Sequence, residues 1–510
     1  MFRKTCPDII ADAPKRIDAK QPLPLVCFVR CGNAGPLAIE SISIKISQNG
    51  KTVLSTTLLQ QPARIERPFW QRIFTVQLPS DLEGFFFVNT FIRIEYEGKS
   101  RTIHNSSFSG FKNIPLTIFR ATEQFPRLDG FRFGDIHFHS YDTSTLYQTG
   151  FPLPGSAEVA RAIGIDFYTV SFHSYAQLRA NDAKQPAWDL FRKKIEKWNE
   201  NNDIIVLPGE EIGCRNSRGG TVQMLSLNGS EFVVGTGNAP YRMLQRRSEH
   251  TIKEAVDHAG GTAANFALPS EVKRKSFRRF FSYSGKWKQT DIAANSISGI
   301  FLRNAPLESL RNNEISFWIQ SLLQGKKRYI VTGGHASGNL NVRHFSRFAS
   351  LKTEKDIFHV FGSIRTGIYT KKTLTKEVVL SCVKKGRSVV TNGPIMNFII
   401  MSENEQRAYL GEEISGHTFT LKYKGLSTPE FGPIRKVEIF IGDIASRTEE
   451  SVFTFNFHDK KYKMQQEFSI EPRSELGYIR CELLTQNEQD VHFCFTNPIW
   501  IRDARFKTEK

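Results

Sequence analysis

Hydrophobic and polar positions change their rhythm along this chain. Up to about residue 120 they alternate with a period of two, most clearly in SISIKIS at Ser41–Ser47. The runs LPLVCFVRC, KTVLSTTLL, RIFTVQLP and FFFVNTFIRIEYEG are short and rich in Phe, Ile, Val and Thr, and many are separated by Gly, Pro, Asn or Asp. Alternation at that period buries one face of a strand and leaves the other wet. Regular strands without intervening helices predict a β-sandwich over residues 1–120.

Over 121–395 strand-like runs alternate with helix-like ones. GDIHFHS is followed by SAEVARAIG, in which Val159, Ala162 and Ile163 are spaced for a helix. DFYTVSFHS precedes WDLFRKKIEKWNEN, which places Trp188, Phe191, Ile195 and Trp198 on one helical face. DIIVLPGEE follows. HTIKEAVDHAGG ends in glycines suited to a helix C-terminus. TAANFALP, ISGIFL, EISFWIQSLLQGKK, RYIVTGGHASGN, TKEVVLSCVKKG and RSVVTNGP continue the alternation. Repeated β-α units imply parallel strands, because parallel neighbours need crossovers. Six to eight units, with no Gly-rich dinucleotide or phosphate-loop fingerprint, predict a β/α barrel more than an open sheet. Over 396–510 alternation returns in HTFTLKYKG, RKVEIFIGD, SVFTFNFHD and VHFCFTNPIWI, which predicts a second β-sandwich.

In such a barrel chemistry gathers at the C-terminal ends of the strands. His137 and His139 stand at one predicted strand end, His173 at the next, Glu210 and Glu211 at a third, and His335 at a later one. Residues i and i+2 of a strand point to the same side, so the His-x-His pair can reach one metal ion. Each residue also has a bland reading. His173 can bond a backbone carbonyl, either glutamate can cap a turn, and His335 can be an ordinary loop histidine.

These residues carry a resemblance to the polymerase-and-histidinol-phosphatase (PHP) superfamily, and within it to the CehA/McbA-like metallohydrolases. GDIHFHS resembles the opening Asp-x-His-x-His-Ser motif. ARAIGIDFYTVSFHS resembles a second motif, LPGEEI a third, and VTGGHASGNLN a late one. The resemblance implies a distorted barrel of β-α units, up to three metal ions, and hydrolysis of phosphoesters or related esters. It assigns His137, His139, Glu211 and His335 to one divalent ion, with Zn, Mn or Fe all suited to three imidazoles and a carboxylate. It leaves His173 and Glu210 for catalytic roles. Arg215 and Arg218 are candidates for holding an anionic small-molecule substrate, or else are surface arginines. The chain departs from the family where further ligands are expected: Thr145, Thr221, Leu268 and Ser337 stand there. Leucine cannot bind a metal, so the resemblance implies a site reduced to one ion.

Composition adds a charge bias. The net charge of +18 favours anionic partners. The densest basic run, Lys273–Lys288, interleaves Phe277, Phe280, Phe281, Tyr283 and Trp287, as a single-stranded nucleic-acid surface would; the bland reading is a basic loop whose aromatics cover a core. No apolar run approaches the roughly 20 residues of a membrane span. Charges run through the N-terminal stretch where a signal peptide needs its apolar core, and the seven cysteines are scattered. The expected location is cytoplasmic. Three functions follow as expectations: a metal-dependent hydrolase with a mononuclear site, a non-catalytic binding or scaffold protein on the same fold, and a nucleic-acid-binding protein.

Overall fold

The computed structural model describes residues 7–30, 32–107, 114–140, 151–174, 184–235, 247–269, 285–336, 340–341 and 359–506. Two compact units are formed, one by Met1–Phe125, His139–Ile165 and His335–Phe361, the other by Pro126–Phe138, Asp166–Gly334 and Gly362–Lys510.

The first unit is built of strands. Asp8–Asp12, Leu23–Arg30 and Phe69–Val76 form a three-stranded sheet, and a seven-stranded sheet is centred on Leu37–Gln48 and Gly84–Tyr96. Along Leu37–Gln48 the period-two pattern works as expected: Ile42, Ile44 and Ile46 are buried, and Lys45 faces water. Ile9, Leu25, Ile44 and Phe86 belong to one core. Helix Leu153–Ala162 packs on Leu23–Arg30, where Gly155 lets it approach: a Cβ there would stand 2.8 Å from a Val26 methyl.

The second unit carries one sheet of 15 strands and one of four. Phe131–Phe138, Phe167–His173 and Ile205–Arg215 run parallel, as the β-α reading requires. Between the last two lies helix Lys184–Glu200, with Trp188, Phe191 and Ile195 buried. The helix Ile252–Ala259 starts on a capping box, Thr251 with Glu254, and its C-terminal cap is Gly260 at φ +81°.

The expected β/α barrel between two sandwiches is not what forms. The reason begins at Asn216. Its side-chain oxygen accepts hydrogen bonds from the Arg218 and Gly220 amides, and Gly219 takes φ +77°, so the chain reverses in a tight turn. Thr221–Leu227 therefore returns antiparallel along Ile205–Arg215 with no helix between, and Ala264–Leu268 pairs antiparallel to it. On the other side Phe131–Phe138 pairs antiparallel with Arg365–Tyr369, and that strand with Ser388–Thr391. Ser388–Thr391 pairs onward with Val491–Thr496, so the sheet runs through position 395 into the C-terminal strands. The end strand Tyr329–Thr332 meets Arg365–Tyr369 through the side chain of Thr366, which accepts from Thr332 N and donates to Thr332 O. Among the described residues the sheet thus curls without a closing ladder. The outcome is a mainly β protein of mixed sheets.

Candidate metal centre

Register explains how the second unit brings its own candidate residues together. In the parallel pair Phe167–His173 and Ile205–Arg215, His173 lies opposite Glu211 and Phe172 opposite Glu210. Paired residues share a face of the sheet, and neighbours along a strand point to opposite faces. His173 and Glu211 therefore meet, with Nδ1 and Oε2 3.2 Å apart. His137 comes from the adjoining strand, its Nε2 3.3 Å from the same Glu211 oxygen. All three are buried. The His137 ring stands edge-on to Phe301 at 5.3 Å, which limits its rotation.

Glu210 points the other way. Both its oxygens accept from the Val233 amide at 3.2 Å, and burial pushes its pKa well above the ordinary carboxylate value.

Asp135, which the sequence reading left without a role, organises the backbone around His137. Its Oδ1 accepts from His137 N at 3.0 Å, and its Oδ2 from Gly334 N and Gly362 N at 3.0 and 2.9 Å. Burial raises its pKa to about 6 against the pull of these three donors. Gly333 is required by this packing: a Cβ would lie 2.3 Å from Asp135 Oδ1 and 2.6 Å from His137 N. The Asp in GDIHFHS was the available signal.

In the first unit, His139 N donates to Ala336 O at 2.9 Å. The His139 and His335 rings lie 5.8 Å apart, and His359 stands edge-on to His335 at 5.5 Å. His335 adopts φ +49°, a left-handed conformation uncommon outside glycine and often found at functional sites. His359 was missed because FHVFGS carries no metal-ligand spacing.

His137 and Glu211 in the second unit, and His139 and His335 in the first, offer imidazole and carboxylate donors of the kind that a divalent cation takes.

Other expected positions lie elsewhere. On Thr221–Leu227 the residue opposite Glu211 is Leu225; Thr221 pairs with Arg215, four positions or about 13 Å along the strand. The Thr221 hydroxyl accepts from Ser248, and Leu268 packs in the core. Arg215 sits at the far end of the same strand, its guanidinium donating to Glu249 O and 4.0 Å from Glu254. Arg218 belongs to the exposed turn that Asn216 organises. Neither arginine is brought to the cluster. Thr145, Ser337 and residues 273–284 of the basic run lie outside the described residues. Of the remainder of that run, Trp287 is buried, and its Nε1 donates to Gln223 O.

No family model matches the chain, and no curated protein matches it. Among solved structures it is similar to a glycosyl hydrolase family 2 member from Bacteroides cellulosilyticus DSM 14838, at 9% identity over 97% of this chain and 63% of that one, with a TM-score of 0.19. A cycloisomaltooligosaccharide glucanotransferase from Paenibacillus sp. gives 11% identity over 96% and 71%, with a TM-score of 0.17. A β-glucuronidase from Bacteroides uniformis gives 9% over 97% and 61%, with a TM-score of 0.19. The chain spans less than two thirds of the length of the first and third of these. Scores this low carry no argument about this chain. The resemblance to the PHP superfamily is corrected on other grounds: no family model supports it, and the sheet topology is not a barrel of β-α units. Short His-containing motifs recur on unrelated folds, because a strand end is a general way to aim imidazoles.

Proposed function

We propose that this protein is a metal-dependent hydrolase acting on an ester-type bond in a small anionic substrate, with one divalent ion held by His137, His139, Glu211 and His335. The observation that carries this reading is the buried Glu211 carboxylate of the second unit, whose Oε2 lies 3.3 Å from His137 Nε2 and 3.2 Å from His173 Nδ1; His139 and His335 complete the proposed set from their positions in the sequence. Such a set suits Zn, Mn or Fe. A divalent ion held there supplies Lewis acidity, which lowers the pKa of water and polarises a carbonyl-type oxygen.

The chain's own residues do the rest. His173 holds or passes a proton at Nδ1, 3.2 Å from Glu211 Oε2. Asp135 fixes the strand end from which His137 projects. Phe301, packed edge-on to His137, keeps bulk water from that ring. Glu210, turned away and bonded to Val233, acts by holding the backbone that presents Glu211.

A second reading is a binding protein whose ion is saturated by its four ligands and does no chemistry. The packing of Leu268 in the core and the engagement of Thr221 with Ser248 favour a reduced site of this kind. No helix among the described residues is long and apolar enough to cross a membrane. We place the protein in the cytoplasm, where the thiols of Cys27, Cys214, Cys382, Cys481 and Cys494 stay reduced.

The test is hydrolysis of mono-4-nitrophenyl succinate, a singly charged chromogenic ester, by protein stripped with a chelator and reloaded with Zn²⁺ or Mn²⁺. The hydrolase reading expects turnover that returns with the metal and disappears in Glu211→Ala. Metal retention without any turnover leaves the binding reading.

A further inference from the structure

We propose that a second cavity, walled by Tyr369 and Tyr409 and rimmed by Lys371, Lys372 and Arg387, binds a small aromatic anion. The cavity has a volume of 510 Å³, within the range of small-molecule sites. It is independent of the proposed metal centre. Tyr369 pairs with Phe131 at the start of Phe131–Phe138, whereas His137 lies six residues further on, about 20 Å along the strand.

One wall is aromatic. The Tyr369 and Tyr409 rings are nearly parallel, 14° apart with centroids at 5.7 Å, and both line the cavity, where a flat ring can pack against them. Tyr369 also packs against Phe131, with ring centroids 5.5 Å apart. Helix Lys376–Lys384 also lines the cavity, through Val378, Ser381 and Cys382. The Cys382 thiol donates to Tyr369 O, and burial raises its pKa, so it forms part of the wall and does not act as a nucleophile.

The charge at the rim selects the ligand. Two carboxylates line the cavity, and both are engaged. Glu412 accepts from Arg387 Nη2 at 2.8 Å with one oxygen and from Tyr409 N with the other. Glu377 lies 3.8 Å from Lys376 Nζ, and hydrogen bonds at the helix start hold its pKa below the ordinary value. Lys371 and Lys372 stand on a short turn fixed by Thr370, whose Oγ1 accepts from Lys372 N at 3.1 Å. Three cations against two engaged carboxylates leave a positive rim beside an aromatic wall. A ring bearing a carboxylate, sulfonate or phosphate satisfies both.

The probe is p-toluenesulfonate, a poor metal ligand, titrated calorimetrically into the full chain. One saturable site per chain is expected, with no saturable binding of methanesulfonate, which lacks the ring, or of benzyl alcohol, which lacks the charge. Tyr409→Ala should weaken binding at least tenfold, and Lys371→Gln with Lys372→Gln at least fivefold, while Glu211→Ala leaves it unchanged. The lysine pair lies on the surface and carries the test should Tyr409→Ala fail to fold. Absence of saturable binding overturns the proposal. So does full affinity in the folded lysine double variant, or loss of affinity in Glu211→Ala.

Discussion

His173 and Glu211 stand opposite each other on adjacent parallel strands, with Nδ1 and Oε2 3.2 Å apart. The same oxygen lies 3.3 Å from His137 Nε2, so one carboxylate serves two imidazoles. If His137 takes the ion and His173 handles a proton, the two histidines separate experimentally. His173→Ala is expected to retain metal and lose about 10²-fold in turnover, the usual scale for a general acid or base. Equal loss of metal in His173→Ala and His137→Ala would place both on the ion.

Gly333→Ala tests the support beneath the site. The new Cβ would meet Asp135 Oδ1 at 2.3 Å and His137 N at 2.6 Å, both pinned by hydrogen bonds. A loss of about 1–3 kcal/mol is expected from such overpacking, read as a lower urea midpoint. Metal affinity should fall in the same variant. An unchanged midpoint would mean that the Asp135 clamp yields easily.

Glu210 predicts a pH dependence. Burial raises its pKa in the folded state well above the ordinary 4.5, so the folded protein holds that proton more tightly than the unfolded chain does. Its contribution is fully present below about pH 4.5 and is lost as pH rises towards the folded pKa. Glu210→Gln keeps the shape and removes the titration. Denaturant midpoints of the variant should therefore fall less than those of the wild type as pH rises above about 4.5. Parallel curves would refute this assignment.

Arg480 tests the core of the second unit. Its Nε and Nη2 donate to Glu449 at 2.7 and 2.6 Å, its Nη1 donates to Glu482 at 2.5 Å, and the guanidinium lies 4.0 Å above the Phe440 ring. Arg480→Met leaves Glu449 buried without this cation and is expected to cost about 3–5 kcal/mol. Replacing Glu449 by Gln in the same chain should recover part of that loss, and no recovery would show that packing on Phe440 dominates.

The legible parts of this protein were those set by local period. Ile42, Ile44 and Ile46 announced a half-buried strand, and Trp188, Phe191 and Ile195 a helix face, because side-chain direction follows from spacing alone. What stayed hidden depends on pairing. Nothing in GGTVQML distinguishes a strand after a crossover from one returning in a hairpin; the Asn216 turn decides it, and with it the departure from a barrel. The four ligand candidates were visible as strand-end His and Glu residues. Asp135 stood in the sequence as the Asp of GDIHFHS, but its role in fixing the backbone at His137, like the neighbouring His359, emerged only from hydrogen bonding and ring geometry.

The most direct test of the central claim is metal content per chain by plasma mass spectrometry, on protein purified without a His-tag or chelator, beside His137→Ala. The account predicts about one divalent ion per wild-type chain and none in a folded His137→Ala variant. A wild-type protein that binds no metal after dialysis against Zn²⁺ and Mn²⁺, or a variant that keeps its full complement, would contradict it.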